Sequence, residues 1–372
     1  MKNLIFNKYH NKTILITGHT GFKGSWLSIW LTNLGAKVIG ISIDIPSRPS
    51  NFDSSRIKGC IKDYRIDICD ATKIKEVIIR ERPDFVFHLA AQALVRPSYQ
   101  NPLETLSVNS LGTANILEAL RFIDKKVVAV MITSDKAYDN VEWVWGYRET
   151  DRLGGRDPYS ASKGMAELVI KTYVESFFNS NDSNVRVGIA RAGNVIGGGD
   201  WAEDRIIPDC VGSWSQNRIV NVRSPNATRP WQHVLEPLSG YLLLGIDLEK
   251  SEKNHGEAYN FGPSADQNHS VKSLIDEMAK HWDCVHWNDV SETNHNHEAK
   301  LLKLNCDKAL FNLSWQPTMN FKKTVKMTIE WYKQYYQNVA QNKEVSMYDF
   351  SSRQIEDYVH LASQKNNTWT AK

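Results

Sequence analysis

Residues 14–24 read Ile14-Leu15-Ile16-Thr17-Gly18-His19-Thr20-Gly21-Phe22-Lys23-Gly24. An apolar strand here runs into a G-x-x-G-x-x-G loop, and the helix-like stretch 25–31 follows directly. Glycines at this spacing permit a tight turn, close approach of a ligand to backbone N–H groups, and close packing of helix on strand. The positive end of the helix favours an anion. The stretch therefore predicts a dinucleotide-binding unit at the start of the chain.

An acidic residue follows at the distance that this unit requires. Asp44 closes the next apolar run, about 20 residues beyond Gly24, where a carboxylate would hydrogen-bond a ribose 2′-hydroxyl. The spacing favours NAD over NADP, with a turn residue before Pro46 as the alternative for Asp44. The cofactor residues predicted in and after the loop are Gly18, Thr20, Gly21, Phe22, Lys23, Gly24 and Asp44.

Further apolar runs alternate with helical patterns along the first half of the chain, and they cover residues 38–43, 85–90, 127–133 and 185–190. This alternation predicts βαβ units in a doubly wound, Rossmann-type parallel α/β sheet. After residue 190 the composition changes, and segments rich in Gly, Asn, Trp and Pro predict loops. We expect a nucleotide-binding domain over 1–190, completed by a segment around 233–262, a smaller substrate-binding lobe over 191–340, and a C-terminal extension over 341–372.

Composition excludes several classes of protein. The chain has 372 residues, 41% hydrophobic and 23% charged, and its net charge of +3 is too small to predict nucleic-acid binding. Five scattered cysteines without C-x-x-C pairs indicate neither a disulfide framework nor a zinc ribbon. The segment 295–298 reads His-Asn-His-Glu but lacks further evident ligands, so we expect no metal. No signal peptide or membrane span is evident, which predicts a cytoplasmic protein without membrane contacts.

A tyrosine and a lysine stand one helical turn apart in Tyr159-Ser160-Ala161-Ser162-Lys163. A nearby cation favours the phenolate, so we expect a lowered pKa for Tyr159 and a role as a base. Upstream, the run 127–132 ends in Thr133-Ser134-Asp135-Lys136 at the carboxyl edge of the predicted sheet, where ligands bind. Together these segments predict an active site.

In this order, the glycine loop, the upstream serine and the Tyr-x-x-x-Lys pair resemble the extended short-chain dehydrogenase/reductase family over about residues 10–340. The Ser-Asp-Lys triplet further resembles nucleotide-sugar 4,6-dehydratases. Residues 18–26, 191–201 and 229–234 resemble the branch that acts on CDP-glucose. The resemblance implies NAD-dependent conversion of CDP-glucose to CDP-4-dehydro-6-deoxyglucose and water, for deoxysugar and surface polysaccharide (lipopolysaccharide O-antigen) synthesis. It also implies a homodimer or a dimer of dimers.

The resemblance assigns roles to individual residues. Tyr159, helped by Ser134 and Lys163, would take the 4-hydroxyl proton, and Asp135 would be the acid in the elimination. Lys136 stands where the dTDP-glucose enzymes carry glutamate, so it is either the base at C5 or an electrostatic stabiliser of the enolate. Further predicted cofactor contacts are Asp67, Ile68, Leu89, Ala90, Ala91 and Gln92. The predicted substrate contacts are Asn109, Asn194, Arg205, Arg229 and Trp231.

Other functions stay open at this point. A nucleotide-sugar epimerase or a dehydratase for another nucleotide would use the same fold, although Asp135 and Lys136 argue against an epimerase. A non-catalytic NAD-binding sensor is the alternative from a different class, because a fold alone does not fix an activity. The intact set of Ser134, Tyr159 and Lys163 argues against a sensor.

Overall fold

The computed structural model describes residues 4–180, 182–291 and 301–371. Its helices, in chain order, are α1 (Leu4–Tyr9), α2 (Phe22–Asn33), α3 (Asn51–Ser54), α4 (Ala71–Glu81), α5 (Val95–Gln100), α6 (Pro102–Leu106), α7 (Gly112–Leu120), α8 (Pro158–Tyr173), α9 (Ile206–Trp214), α10 (Leu235–Lys250), α11 (Val271–Met278), α12 (Asp307–Leu313), α13 (Phe321–Ala340) and α14 (Tyr348–Gln364). None of the helices within the described ranges is long and apolar enough to cross a bilayer.

The strands, in chain order, are β1 (Thr13–Thr17), β2 (Lys37–Ser42), β3 (Lys62–Arg65), β4 (Phe85–His88), β5 (Val127–Ile132), β6 (Val185–Ala192), β7 (Val195–Ile196), β8 (Val220–Val222), β9 (Thr228–Arg229), β10 (Gln232–His233), β11 (Ala258–Phe261), β12 (His269–Ser270) and β13 (Trp287–Asp289). Seven of them form one parallel sheet in the order β11-β6-β5-β4-β1-β2-β3. Its strand order reverses between β1 and β4, which is where such sheets bind ligands. The predicted doubly wound sheet is confirmed.

Both faces of the sheet are covered by helices. Successive side chains along a strand point alternately into one core and the other. Ile14 and Ile16 face a core built with helices α2, α10, α13 and α14, whereas Leu15 faces a core built with α4, α7 and α8. Burial on both faces explains why the central strands are apolar runs without alternation. The edge strand β3 is polar, and the apolar-run criterion missed it.

The chain returns to this sheet after residue 233. Helix α10 packs on β5 and β6, and β11 adds the seventh strand beside β6. The short pairs β7–β10, β8–β13 and β9–β12 lie outside the main sheet. The division into a nucleotide-binding domain, a substrate lobe and a C-terminal extension stays a prediction.

The C-terminal segment is part of the core. The sequence predicts a last helix over 321–336 and a frayed polar segment over 364–368: the helix is confirmed, but it is not the last one, and the segment is packed rather than frayed. Helix α13 extends to Ala340, and α14 follows it. Trp369 is fully buried against Trp30, and Asn367 donates a hydrogen bond to Thr318 at 2.9 Å. One aromatic side chain thus anchors a tail whose other residues are polar.

Candidate active site

The glycine loop is tightly packed at the switch point of the sheet. Gly18 has φ +74°, and a β-carbon there would meet the backbone N of Ala90 at 2.8 Å. A β-carbon on Gly24 would meet the carbonyl oxygen of Gly18 at 2.0 Å. Both positions therefore require glycine. Gly21 stands at the N-cap of α2 without a side-chain hydrogen bond, so this helix end is not capped by its own N-cap residue.

The other predicted cofactor residues surround this loop. The Thr20 hydroxyl donates to the backbone carbonyl of Asp44 at 2.6 Å, and the carboxylate of Asp44 is exposed beyond β2. The ring of Phe22 lies beside Gly197, where an added β-carbon would approach it to 3.1 Å. Asp67 accepts from the backbone N of Cys69 at 2.9 Å.

The segment after β4 forms the opposite wall. The backbone N of Ala90 donates to the Thr17 hydroxyl at 3.1 Å, and Leu89 and Ala91 are partly exposed beside it. Ile68 is buried beneath, against Gly112. The Gln92 side chain donates to the carbonyl of Leu94 at 2.9 Å.

Asn109 is hydrogen-bonded within the protein by both atoms of its amide group. Asn109 is buried in a π-helical turn over Ser107–Leu111. Its oxygen accepts from the backbone N of Gln92 at 2.8 Å, and its Nδ2 donates to the Gln92 carbonyl at 3.0 Å and to the Ser162 hydroxyl at 2.8 Å. Both of its N–H groups thus link the segment after β4 to α8, and its contact with substrate stays a prediction.

The predicted catalytic groups come together where β5 ends. Ser134 caps a 3₁₀ turn over Asp135–Ala137, and its hydroxyl donates to Oδ1 of Asp135 at 2.9 Å. The same hydroxyl lies against the phenol of Tyr159, whose pKa it lowers. Asp135, Tyr159 and Lys163 are buried, and Lys136 is partly buried. An alcohol, a carboxyl group and a phenol thus lie in one buried cluster.

Burial controls the protonation of these groups. It raises the pKa of Asp135, although the charges of Lys136 and Lys23 and the hydrogen bond from Ser134 oppose the shift. It lowers the pKa of Lys163 to about 8, which Glu167 partly offsets. It also raises the pKa of Tyr159 to about 12. The expected lowering of the Tyr159 pKa is therefore wrong, because desolvation of the phenolate outweighs the hydrogen bond from Ser134 and the charge of Arg205.

Two cations of the predicted binding set face the same cluster. Burial lowers the pKa of Lys23 to about 8, and among the charges acting on Lys23 are Arg205, Asp135 and Lys163. Arg205 forms an ion pair with Asp200 at 2.6 Å, and its charge lowers the pKa of Tyr159. Lys23 was predicted at the cofactor, and the structure places it within electrostatic reach of both the catalytic acid and the catalytic lysine.

The remaining predicted substrate residues lie on the loops after β6. Asn194 is partly buried, and its carbonyl accepts from the backbone N of Gln232 at 3.2 Å. Arg229 lies in β9 and donates to the Thr228 carbonyl at 2.8 Å. Trp231 is buried, and its Nε1 has no hydrogen-bond partner among the described residues. A buried indole N–H without a partner costs free energy, so this donor is available to a ligand or water.

Sequence reasoning missed Glu167 and Arg191 as site residues. They form a buried ion pair directly behind Lys163 and Thr133. The signal was present, since Glu167 follows Lys163 by one helical turn and therefore shares its face of α8. The His-Asn-His-Glu segment 295–298 lies outside the described residues. Within the described ranges, no group of three His, Cys, Asp or Glu side chains could hold a metal ion.

Comparisons with known proteins identify the family of the chain. The family model described as GDP-mannose 4,6 dehydratase matches residues 15–328. The CDP-glucose 4,6-dehydratase of Salmonella typhimurium is 45% identical over 362 residues, which covers 96% of this chain and 99% of that protein. The human dTDP-D-glucose 4,6-dehydratase is 25% identical over 337 residues, 88% of this chain and 91% of that one.

Solved structures share the fold at lower identity. An epimerase from Methanothermobacter thermautotrophicus superposes with a TM-score of 0.77 at 24% identity, covering 91% of this chain and 97% of its own. A dTDP-glucose 4,6-dehydratase from Streptomyces venezuelae, solved with NAD bound, gives a TM-score of 0.73 at 21% identity, covering 87% and 97%. The resemblance predicted from the sequence is confirmed: the chain belongs to the GDP-mannose 4,6 dehydratase family of extended short-chain dehydrogenases/reductases.

Proposed function

We propose that the chain is a CDP-glucose 4,6-dehydratase. The observation that carries the proposal is the buried acid Asp135, which is hydrogen-bonded to Ser134 and close enough to Tyr159 for its charge to raise the pKa of the phenol. An oxidation needs the tyrosine and lysine, whereas an elimination also needs an acid. The choice of CDP-glucose rests on the 45% identical relative of that name.

The nucleotide-binding site fits NAD. Gly18 and Gly24 keep the loop backbone bare of side chains, and the N-terminus of α2 faces the loop. We assign the pyrophosphate to this helix end, the adenosine ribose to Asp44, the adenine to Asp67 and Ile68, and the ring side to residues 89–92. Held there, NAD would supply the hydride acceptor for oxidation at C4 and the hydride donor for reduction at C6.

In the first half of the reaction, Tyr159 removes the proton of the sugar 4-hydroxyl. The Ser134 hydroxyl has a single O–H to donate, and in this proposal it turns from Asp135 to the same sugar oxygen. Lys163 would hold the nicotinamide ribose, and an ammonium there favours the phenolate of Tyr159. Because burial raises the pKa of Tyr159 to about 12, its role as a base needs positive charge beside the phenol.

In the second half, the 4-ketone acidifies the C5–H bond and water leaves from C6. Asp135 donates the proton to the departing hydroxyl, a role that suits a carboxyl group whose pKa burial has raised. Lys136 lies next in the chain and is less buried. It acts either as the base at C5 or as a cation that stabilises the enolate while another group takes the proton.

The loops after β6 supply the substrate site in this proposal. Arg205 and Arg229 bind the diphosphate, since a guanidinium can contact phosphate oxygens through two N–H groups. Asn194 and the unpartnered Nε1 of Trp231 provide further polar contacts. Arg205 is close enough to Tyr159 for its charge to lower the pKa of the phenol. A diphosphate bound at Arg205 would therefore bring the attached sugar close to the catalytic phenol.

We further propose a homodimer formed through α6 and α8. Leu103 on α6 is 80% exposed, and Leu111, Met165 and Leu168 on the adjoining helical surface are also exposed. Exposed apolar side chains on packed helices indicate a protein interface. A dimer of dimers stays open. Five free cysteines support a reducing compartment, the cytoplasm.

The decisive experiment incubates the purified protein with NAD and, in parallel, CDP-, dTDP-, GDP- and UDP-glucose. The readouts are the alkali-developed absorbance of a 4-keto-6-deoxy sugar and the mass loss of one water. We expect product from CDP-glucose alone. Product from another nucleotide would reassign the substrate. Silence with all four, despite measurable NAD binding, would favour an epimerase or a sensor.

A further inference from the structure

A buried ion pair lies directly behind the catalytic residues. The side chains of Glu167 on α8 and Arg191 at the end of β6 are 2% and 4% exposed. Arg191 Nε donates to Oε1 of Glu167 at 2.7 Å, and its Nη2 donates to Oε2, which makes the contact bidentate. The Thr133 hydroxyl also donates to Oε1 of Glu167 at 2.6 Å. The carboxylate is therefore held from two strand ends at once.

The arginine extends the network to the loop that follows the catalytic triplet. Its Nη1 donates to the Tyr138 hydroxyl at 2.6 Å and to the Glu149 carbonyl at 3.1 Å. Tyr138 in turn donates to Oδ1 of Asn260 on β11 at 2.8 Å, and the backbone N of Asn260 donates to Glu149 Oε1 at 2.8 Å. The ends of β5, β6 and β11 are thereby fixed to one another.

Stability alone does not explain this arrangement. Taking two charges out of water costs several kcal/mol each, and apolar replacements of buried ion pairs are often neutral or stabilising. The pair is placed where chemistry would use it. Thr133 immediately precedes Ser134 and Asp135, and Glu167 lies one helical turn after Lys163 and two turns after Tyr159.

We propose that Glu167 is a positioning residue of this active site: with Arg191 it holds the catalytic face of α8 against the end of β5 and keeps Lys163 in its ammonium form. The inference rests on the proposed function for its kinetic readout. The residue touches neither sugar nor cofactor in this role. It acts through Lys163, Thr133 and the strand end that carries Ser134 and Asp135.

The charges that face Lys163 give the sign of the effect. Glu167 is the anion that raises its pKa, whereas burial lowers that pKa to about 8. The other charged or titratable neighbours are Lys23 on α2 and His88 on β4. The charge of Lys163 lowers the pKa of both. Burial keeps His88 neutral, with a pKa of about 3. Removing Glu167 therefore leaves Lys163 without an opposing charge, and it will lose its proton at lower pH.

The test compares Glu167→Gln, the double variant Glu167→Gln with Arg191→Gln, and the control Glu175→Gln, whose carboxylate is exposed further along the same helical segment. The alkaline limb of the kcat/KM profile should move to lower pH by about one unit in Glu167→Gln and should stay in place in the control. The double variant leaves no unpaired buried charge. It should recover much of the thermal stability lost by the single variant. The alkaline limb of its kcat/KM profile should nevertheless stay at the lower pH.

Two results would overturn the inference: an unmoved limb in Glu167→Gln, or a double variant whose profile returns to that of the wild type. If Glu167→Gln does not fold, the double variant alone still decides. The pH dependence of the NAD dissociation constant, measured by calorimetry, is the second readout, since Lys163 would hold the ribose. It separates the two proposals: a wild-type protein that makes no product contradicts the proposed function, whereas NAD binding whose pH dependence Glu167→Gln leaves unchanged contradicts this inference.

Discussion

The carboxylate of Asp135 lies against the α-carbon of Gly193. A β-carbon built at Gly193 would meet Oδ2 of Asp135 at 2.3 Å, so no other residue fits without moving the acid. The Ser134 hydroxyl holds the other oxygen, Oδ1, at 2.9 Å. The end of β6 thus provides one side of the pocket in which the proposed acid is desolvated, and the glycine there is required by contact rather than by backbone conformation.

Replacing Gly193 with alanine should displace the carboxylate of Asp135 and lower turnover by about a hundredfold, because small misplacements of reacting groups are costly. NAD binding should change little. The measurement is steady-state turnover with calorimetric NAD affinity. Gly212→Ala is the control, since no atom lies within 4 Å of the added carbon there. Unchanged turnover in Gly193→Ala would show that the position of the Asp135 carboxylate is not critical.

Asp135→Asn should separate oxidation from elimination. The amide keeps the size of the side chain but cannot donate a proton as a carboxylic acid does. We expect C4 oxidation to proceed and the elimination to stall, so that the near-ultraviolet absorbance of the reduced nicotinamide accumulates in a single turnover. In the wild-type enzyme this absorbance should remain low. If Asp135→Asn accumulates no such absorbance and still forms product, the acid is another group.

Tyr159→Phe should lower turnover by roughly a thousandfold, the range expected for loss of a general acid–base group. The ring remains buried and its packing is conserved, so NAD affinity and thermal stability should stay near those of the wild type. Turnover and calorimetric NAD binding are measured on the same sample. Retained turnover would exclude Tyr159 as the base.

Much of the fold follows from local sequence signals. The runs that become β1, β2, β4, β5 and β6 are apolar because both faces of the sheet are covered. The edge strand β3, Lys-Asp-Tyr-Arg, carries no such signal, since its register is set by β2. The packing of the C-terminal tail could not be predicted from local sequence either, because it depends on the contact of Trp369 with Trp30, more than 300 positions away.

The site divides in the same way. Ser134, Asp135, Tyr159 and Lys163 could be predicted because each stands next to a strand end or one helical turn from a partner. The hydrogen bonds of Asn109 and the raised pKa of Tyr159 could not be predicted, since they depend on burial and on groups brought together by the fold. Local spacing finds the reacting groups, and tertiary packing decides their protonation.

A second buried acid, Glu236 on α10, binds the segment before α13. Its oxygens accept from the backbone N of Thr318 at 2.9 and 3.0 Å, from that of Met319 at 2.6 Å, and from the Tyr358 hydroxyl at 2.9 Å. Burial nevertheless raises its pKa to about 7, against which these hydrogen bonds work. The acid thus joins α10, α14 and the segment before α13.

This raised pKa predicts a pH-dependent stability. Between the unfolded pKa of about 4.5 and the folded value of about 7, the folded chain binds more protons than the unfolded one, so the contribution of Glu236 falls as pH rises through this range. Glu236→Gln removes the titration. The difference in unfolding free energy between wild type and variant should therefore change by roughly 3 kcal/mol between about pH 5 and about pH 8. The wild type should become less stable relative to the variant as the pH rises. Urea unfolding at both pH values measures it, and Glu175→Gln is the exposed control. A difference that is the same at both pH values would mean that Glu236 titrates alike in the folded and unfolded chains.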